Sequence, residues 1–81
     1  VKDHEPAIAL RGGPDGLDFV RPIFAGAAPL LREGGLILVE VAAARAEEAE
    51  AIARSTPGLR DVRILRDLAN LPRVIVATKS A

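Results

Sequence analysis

Cysteine, methionine, tryptophan and tyrosine are absent from this 81-residue chain, which has one histidine and two phenylalanines. Without cysteine there is neither a disulfide framework nor a thiolate zinc site. His4 alone leaves no imidazole cluster to hold a metal instead. Eleven basic side chains meet eleven acidic ones, and the net charge of zero provides no long-range attraction to nucleic acid or anionic lipid. No unbroken apolar run is longer than Leu36–Val39, far short of the roughly 20 residues that span a bilayer. No basic, apolar, small-residue succession opens the chain as a signal peptide would. These absences leave a small neutral domain, expected in the cytoplasm. A chain of this size buries only about 60–65% of its surface, and Phe19 and Phe24 are its only aromatics. A complete enzyme with its own cofactor site is not expected.

What is present reads as an α/β unit. Pro6, Gly12, Gly13, Pro14 and Gly16 punctuate residues 1–16 as a loop region, interrupted by Ala7–Leu10, which suits one helical turn or a short extended stretch. Asp15, with Asp18 three residues on, offers a helix cap. Leu17, Val20, Ile23, Phe24, Ala27, Leu30 and Leu31 then mark one stripe of a helix reaching about Arg32, kinked by Pro22 and Pro29. Gly34 and Gly35 stop it. Leu36–Val41 has the branching of a strand buried on both faces. Ala42–Arg54 is alanine- and glutamate-rich and strongly helix-forming, with Ala42, Ala46, Ala49, Ile52 and Ala53 on one side. Asp61–Arg66 and Arg73–Thr78 read as two further strands. The helix between the first two strands implies parallel pairing of those strands, and the short connection between the last two implies a hairpin. The expectation is a mixed three-stranded sheet with two helices.

Composition and spacing do not assign a chemistry. Gly12–Gly16 before a helix suits a phosphate cradle, but it lacks a P-loop lysine and a preceding buried strand, so a plain loop is the simpler reading. His4 and Glu5 are adjacent, which rarely aims two side chains at one atom. Glu40 closes a predicted strand at the edge where open α/β sheets place ligands, and it is equally a solvated carboxylate. Arg60, Arg63 and Arg66 form a basic edge interleaved with Asp61 and Asp67, with no aromatic stacking platform for nucleic acid.

Three blocks in order carry a resemblance. Glu5-Pro-Ala-Ile-Ala-Leu10 is followed by Gly12-Gly-Pro-Asp-Gly-Leu-Asp-Phe19. After a helix comes Leu30-Leu-Arg-Glu-Gly-Gly-Leu-Ile-Leu-Val-Glu40. Asp61-Val62 and Arg66-Asp67-Leu68 then precede Arg73-Val-Ile-Val-Ala77. From about Glu5 to Ala77 the chain resembles the C-terminal part of the HemK/PrmC family, S-adenosylmethionine-dependent methyltransferases that modify a glutamine of peptide-chain release factors. The resemblance implies the C-terminal portion of a Rossmann-like class I methyltransferase fold. Its last strand would run antiparallel between the two before it, so these strands lie in the order first, third, second. Residues 1–81 would be one partial domain, with 1–16 a substrate-side loop region.

The family's glycine-rich cofactor turn and its Asn-Pro-Pro-Tyr motif do not occur in these residues. The resemblance therefore assigns no catalytic, cofactor-binding or metal residue, and no S-adenosylmethionine binding is expected of this chain alone. It places Glu5, Pro6 and Glu40 along a substrate-side wall. Val41-Ala42-Ala43-Ala44-Arg45 departs from the family's apolar–glycine–glutamine continuation, weakening any substrate contact at that rim. The implied function is the C-terminal part of a release-factor glutamine N5-methyltransferase. Its expected partners are the release factor as substrate and a missing N-terminal half, with no direct contact to nucleic acid or membrane. The alternatives are a non-catalytic α/β module that self-associates through an exposed edge of the Leu36 strand, and part of a nucleobase amino-methyltransferase.

Overall fold

A computed structural model describes residues 4–11 and 20–80. The elements in chain order are β1 (Glu5–Arg11), α1 (Val20–Ala27) with a 3₁₀ turn over Ala28–Leu30, β2 (Leu31–Glu40), a 3₁₀ turn over Ala43–Arg45, α2 (Ala46–Arg54), β3 (Leu59–Arg66) and β4 (Pro72–Lys79). Among the described residues the sheet has four strands in the order β1-β2-β4-β3, not three. β1 runs parallel to β2, while β4 is antiparallel to both β2 and β3. The insertion of the last strand between the two before it agrees with the resemblance. It also corrects the simpler expectation that β2 and β3 pair directly: they are parallel in direction, but each hydrogen-bonds to β4.

The added strand comes from residues expected to be loop. Ala7–Leu10 takes its extended alternative and grows to seven residues, because the edge of β2 offers a ladder of backbone groups that the apolar stretch satisfies. The Leu36 strand is therefore not exposed on that side, as the self-associating alternative expected, but paired with β1. The helix ends earlier than its stripe suggests. Pro22 is tolerated in the first turn of α1, and Pro29 lies in the 3₁₀ turn. Gly34 and Gly35 do not stop a helix but lie inside β2, which begins at Leu31. Between the pairs Glu5↔Leu31 and Ala7↔Leu36 the ladder shifts register, and Gly34 absorbs the shift at φ 82°. At Gly35 a Cβ would lie 2.9 Å from the Arg32 carbonyl oxygen and 3.0 Å from that of Pro6. The expected phosphate cradle at Gly12–Gly16 and cap at Asp15 and Asp18 lie outside the described residues.

Both helices cover one face of the sheet. Ile37 and Val39 of β2, Ile75 and Ala77 of β4 and Val62 of β3 share a core with Val20, Phe24 and Ala27 of α1 and Ala46, Ala49, Ile52 and Ala53 of α2. The alanine side of α2 has the expected members, and its short side chains suit close packing on the sheet. Past its C-terminus, Thr56 is buried and its hydroxyl donates to the Ile52 carbonyl at 2.8 Å. Lys79 ties the end of β4 to the 3₁₀ turn by donating to the Ala28 carbonyl at 2.6 Å. On the other face, by strand alternation, lie Ala7, Ala9 and Arg11, then Leu36, Leu38 and Glu40, then Val74, Val76 and Thr78. No described helix is long and apolar enough to cross a membrane.

At Gly35 the β1 and β2 backbones approach closely, so Gly35→Ala forces its neighbours apart. We expect a loss of about 1–3 kcal/mol, measured as a lowered midpoint of thermal unfolding. Gly26, whose added Cβ would meet nothing within 4 Å, serves as the control and tolerates alanine.

Candidate functional site

β1 and β2 are parallel, and their C-terminal ends come together at one edge of the sheet. The ladder places Arg11 opposite Glu40, and their side chains form an ion pair with Nε 3.2 Å from Oε1. β4 begins at the same edge, where Val74 pairs with Glu40 and the Val41 amide donates to the Arg73 carbonyl at 2.8 Å. A shallow groove of about 320 Å³ lies here, lined by Ala9, Leu10, Arg11, Leu38, Glu40 and Val74. Ala9, Leu38 and Val74 supply an apolar floor on the open face, while Arg11 and Glu40 stand at its rim. The rim pair is largely in water, with side-chain exposures of 87% and 51%. Such a pair contributes only about 0–1 kcal/mol to stability, so its groups remain available to a ligand.

The structure separates the residues expected to form one wall. Glu40 lies at the C-terminal edge, whereas Glu5 and Pro6 begin β1 at the opposite end. Glu5 and Arg11 are the two ends of the seven-residue β1, a span of about 20 Å, and Glu5 faces Leu31 rather than Glu40. Strand formation by residues 5–11 is the cause, since a loop can fold back and a paired strand cannot. Arg11 was missed by the sequence reading; its only signal is its place at the end of the Ala7–Leu10 apolar stretch. His4 is exposed just before β1. The arginines of β3 form local contacts: Arg60 lies 3.7 Å from the Asp61 carboxylate, and Arg66 donates to the Asn70 carbonyl at 3.4 Å. Among the described residues no three His, Cys, Asp or Glu side chains gather as metal ligands.

The β3–β4 turn reaches beyond the same edge and is organised by one carboxylate. Asp67 accepts from the Ala69 and Leu71 amides, each at 2.9 Å, and from Arg73 Nε at 3.0 Å. The Leu71 amide, followed by the Arg73 guanidinium, holds the Asp67 carboxyl below its ordinary pKa of 3.8. Asn70 takes φ 64°, a left-handed conformation that asparagine tolerates well. The clamp leaves Leu68 fully exposed at the tip.

The chain is 41% identical over 73 residues to the release factor glutamine methyltransferase of Moorella thermoacetica, covering 90% of this chain and 26% of that protein. It is 40% identical over 79 residues to the protein of the same name from Clostridium acetobutylicum, covering 98% of this chain and 27% of the relative. With that of Mycolicibacterium smegmatis it shares 44% identity across its whole length, which is 29% of the relative. The chain thus spans about a quarter of the length of these relatives and matches their C-terminal part. No family model matches the chain, and no solved structure matches it.

A carboxylate whose folded pKa is depressed stabilises the fold above its unfolded pKa, and this contribution is lost as pH falls through the folded value. The Asp67 clamp is therefore intact at neutral pH and releases on acidification below 3.8. Asp67→Asn mimics the released state at pH 7. We expect it to speed amide hydrogen exchange at Ala69 and Leu71 while leaving exchange at Ile75–Ala77 nearly unchanged.

Proposed function

Because the chain belongs to the HemK/PrmC family, we propose that it forms the C-terminal part of an S-adenosylmethionine-dependent methyltransferase domain. The reaction proposed for the domain is N5-methylation of a glutamine of peptide-chain release factors. The observation that carries this reading is the 36–44% identity to release factor glutamine methyltransferases over nearly the whole chain. The insertion of antiparallel β4 between β2 and β3 supports a Rossmann-like class I methyltransferase sheet.

Glu40 and Arg11 form the substrate side of this segment. A primary carboxamide has a carbonyl acceptor and an NH₂ donor on neighbouring atoms. A guanidinium beside a carboxylate offers the complementary donor and acceptor, over an apolar floor that suits the methylene stem of glutamine. Glu5 and Pro6, at the far end of β1, take no part in this site.

Among the described residues, the groove beside Arg11 and Glu40 is not the proposed seat of S-adenosylmethionine. The groove is walled by apolar side chains and one ion pair. The close-packed Gly35 meets this chain's own carbonyls and leaves no space for a ligand. The cofactor site belongs to the family's glycine-rich turn and Asn-Pro-Pro-Tyr motif, which these 81 residues do not contain. The partner of this segment in catalysis is thus the cofactor-binding part of the domain.

A chimera tests the reading: these residues replace the matching C-terminal segment of the Mycolicibacterium smegmatis relative. We expect the chimera to add one methyl group to the release-factor glutamine, read by peptide mass spectrometry. A folded chimera that binds S-adenosylmethionine but leaves the release factor unmodified overturns it. Calorimetry of the 81-residue chain alone should show no saturable cofactor binding. In the chimera, Glu40→Ala should shift the unfolding midpoint little, as an exposed pair allows. It should lower kcat/KM about tenfold, a loss of about 1.4 kcal/mol in transition-state stabilisation.

A further inference from the structure

Arg73 occupies an irregular place in the sheet. Pairing between β3 and β4 passes from Leu65↔Val74 to Arg66↔Pro72, a shift of register that leaves Arg73 opposite no residue of β3. An extra residue of this kind breaks the ladder locally and re-aims the strand, a device common beside active sites. On the other side of β4 the last pair with β2 is Glu40↔Val74. One residue beyond Glu40, the Val41 amide donates to the Arg73 carbonyl at 2.8 Å. The Arg73 backbone therefore holds the end of β2, and its side chain reaches the other way, into the hairpin turn.

That turn is a firm anchor. Arg73 Nε donates to Asp67 Oδ2 at 3.0 Å, while Asp67 Oδ1 accepts from the Ala69 and Leu71 amides. Backbone bonds close the same turn: the Asp67 amide donates to the Leu71 carbonyl at 2.8 Å, and the Asn70 amide to the Asp67 carbonyl at 2.9 Å. The Arg73–Asp67 pair is more sheltered than that of Arg11 and Glu40, with side-chain exposures of 44% and 34%. Glu40 is the last residue of β2, and strand ends fray unless something beyond their last pair holds them. We propose that Arg73 is a positioning residue for Glu40. Bonded to the Asp67 turn by its side chain and to Val41 by its carbonyl, it locks the end of β2 and fixes where the Glu40 carboxylate meets the substrate amide.

The inference rests on the methyltransferase reading and on the place of Glu40 in it. Misplacing a group that orients a reactant slows the reaction even while the group is still present. Arg73 touches no substrate and acts only through Glu40, so its loss costs no more than the loss of the Glu40 carboxylate itself.

The chimera with the Mycolicibacterium smegmatis relative tests it through a double-mutant cycle. Arg73→Met removes the guanidinium and keeps the backbone carbonyl that receives the Val41 amide. It should lower kcat/KM for the release factor about fivefold, short of the loss from Glu40→Ala, and leave KM for S-adenosylmethionine within about twofold. In the Glu40→Ala background the same substitution should cost less than about twofold, since the group it positions is gone. Asp67→Asn, which changes the other half of the pair, should show the same dependence on Glu40. Amide exchange at Val41 should quicken in Arg73→Met, and the unfolding midpoint of each variant separates lost positioning from lost folding. An Arg73→Met chimera as active as its parent overturns the inference and leaves the reading intact. So does a loss of equal size in both backgrounds, the mark of a purely structural role. A parent chimera that leaves the release factor unmodified overturns the reading, and the inference with it.

Discussion

The structure depends on β4 lying between β2 and β3. The helix α2 carries the chain from β2 to β3 and leaves these strands a full strand width apart, so neither ladder closes until the last strand enters the gap. β4 pairs on both sides and supplies Ile75, Val76 and Ala77, all buried. It is the one strand whose backbone donors and acceptors are engaged on both edges by antiparallel neighbours. Its termini also set the two ends of the sheet: Arg73 receives the Val41 amide at the edge where β1 and β2 end, and Lys79 holds the 3₁₀ turn after α1 at the other.

Among the described residues no helix covers the other face or the C-terminal edge, and the candidate chemistry lies there. Arg11 and Glu40 come together because two parallel strands end in register, not because either side chain is buried. Water screens their attraction, so the pair does little for stability and is free to exchange its partner for a ligand's polar atoms. Asp67 is the contrasting case. Its carboxylate is fully engaged by amides and a guanidinium, and its work is structural: it shapes the turn that rises beside the same edge.

The departures from the sequence reading have one physical source. β-Strand formation by a short apolar segment is a property of the neighbour that accepts it, and Glu5–Arg11 is extended because β2 has an unsatisfied edge. That one event adds the fourth strand, covers the edge expected to be free, carries Glu5 and Pro6 away from Glu40 and brings Arg11 beside it. Gly34 and Gly35, which read as a helix stop, take part in the same event: they let β2 begin early and let the backbone of β1 pass close. The candidate site was thus half legible. Glu40 was visible as an acid closing an apolar run, while Arg11 carried no signal until a strand existed to present it.

Local pattern determined what depends on neighbours along the chain: the apolar stripe through Val20, Phe24 and Ala27, the alanine side of α2, the branched runs of β2 and β4, and the hairpin enforced by five residues between Arg66 and Pro72. Recognisable blocks in order determined the family. The tertiary structure decided what depends on residues distant in sequence, namely the pairing partner of each strand and the register that opposes Arg11 to Glu40. Side-chain periodicity encodes which face is buried, but backbone hydrogen bonds are nearly blind to side-chain identity. Their partners are settled only when the strands meet.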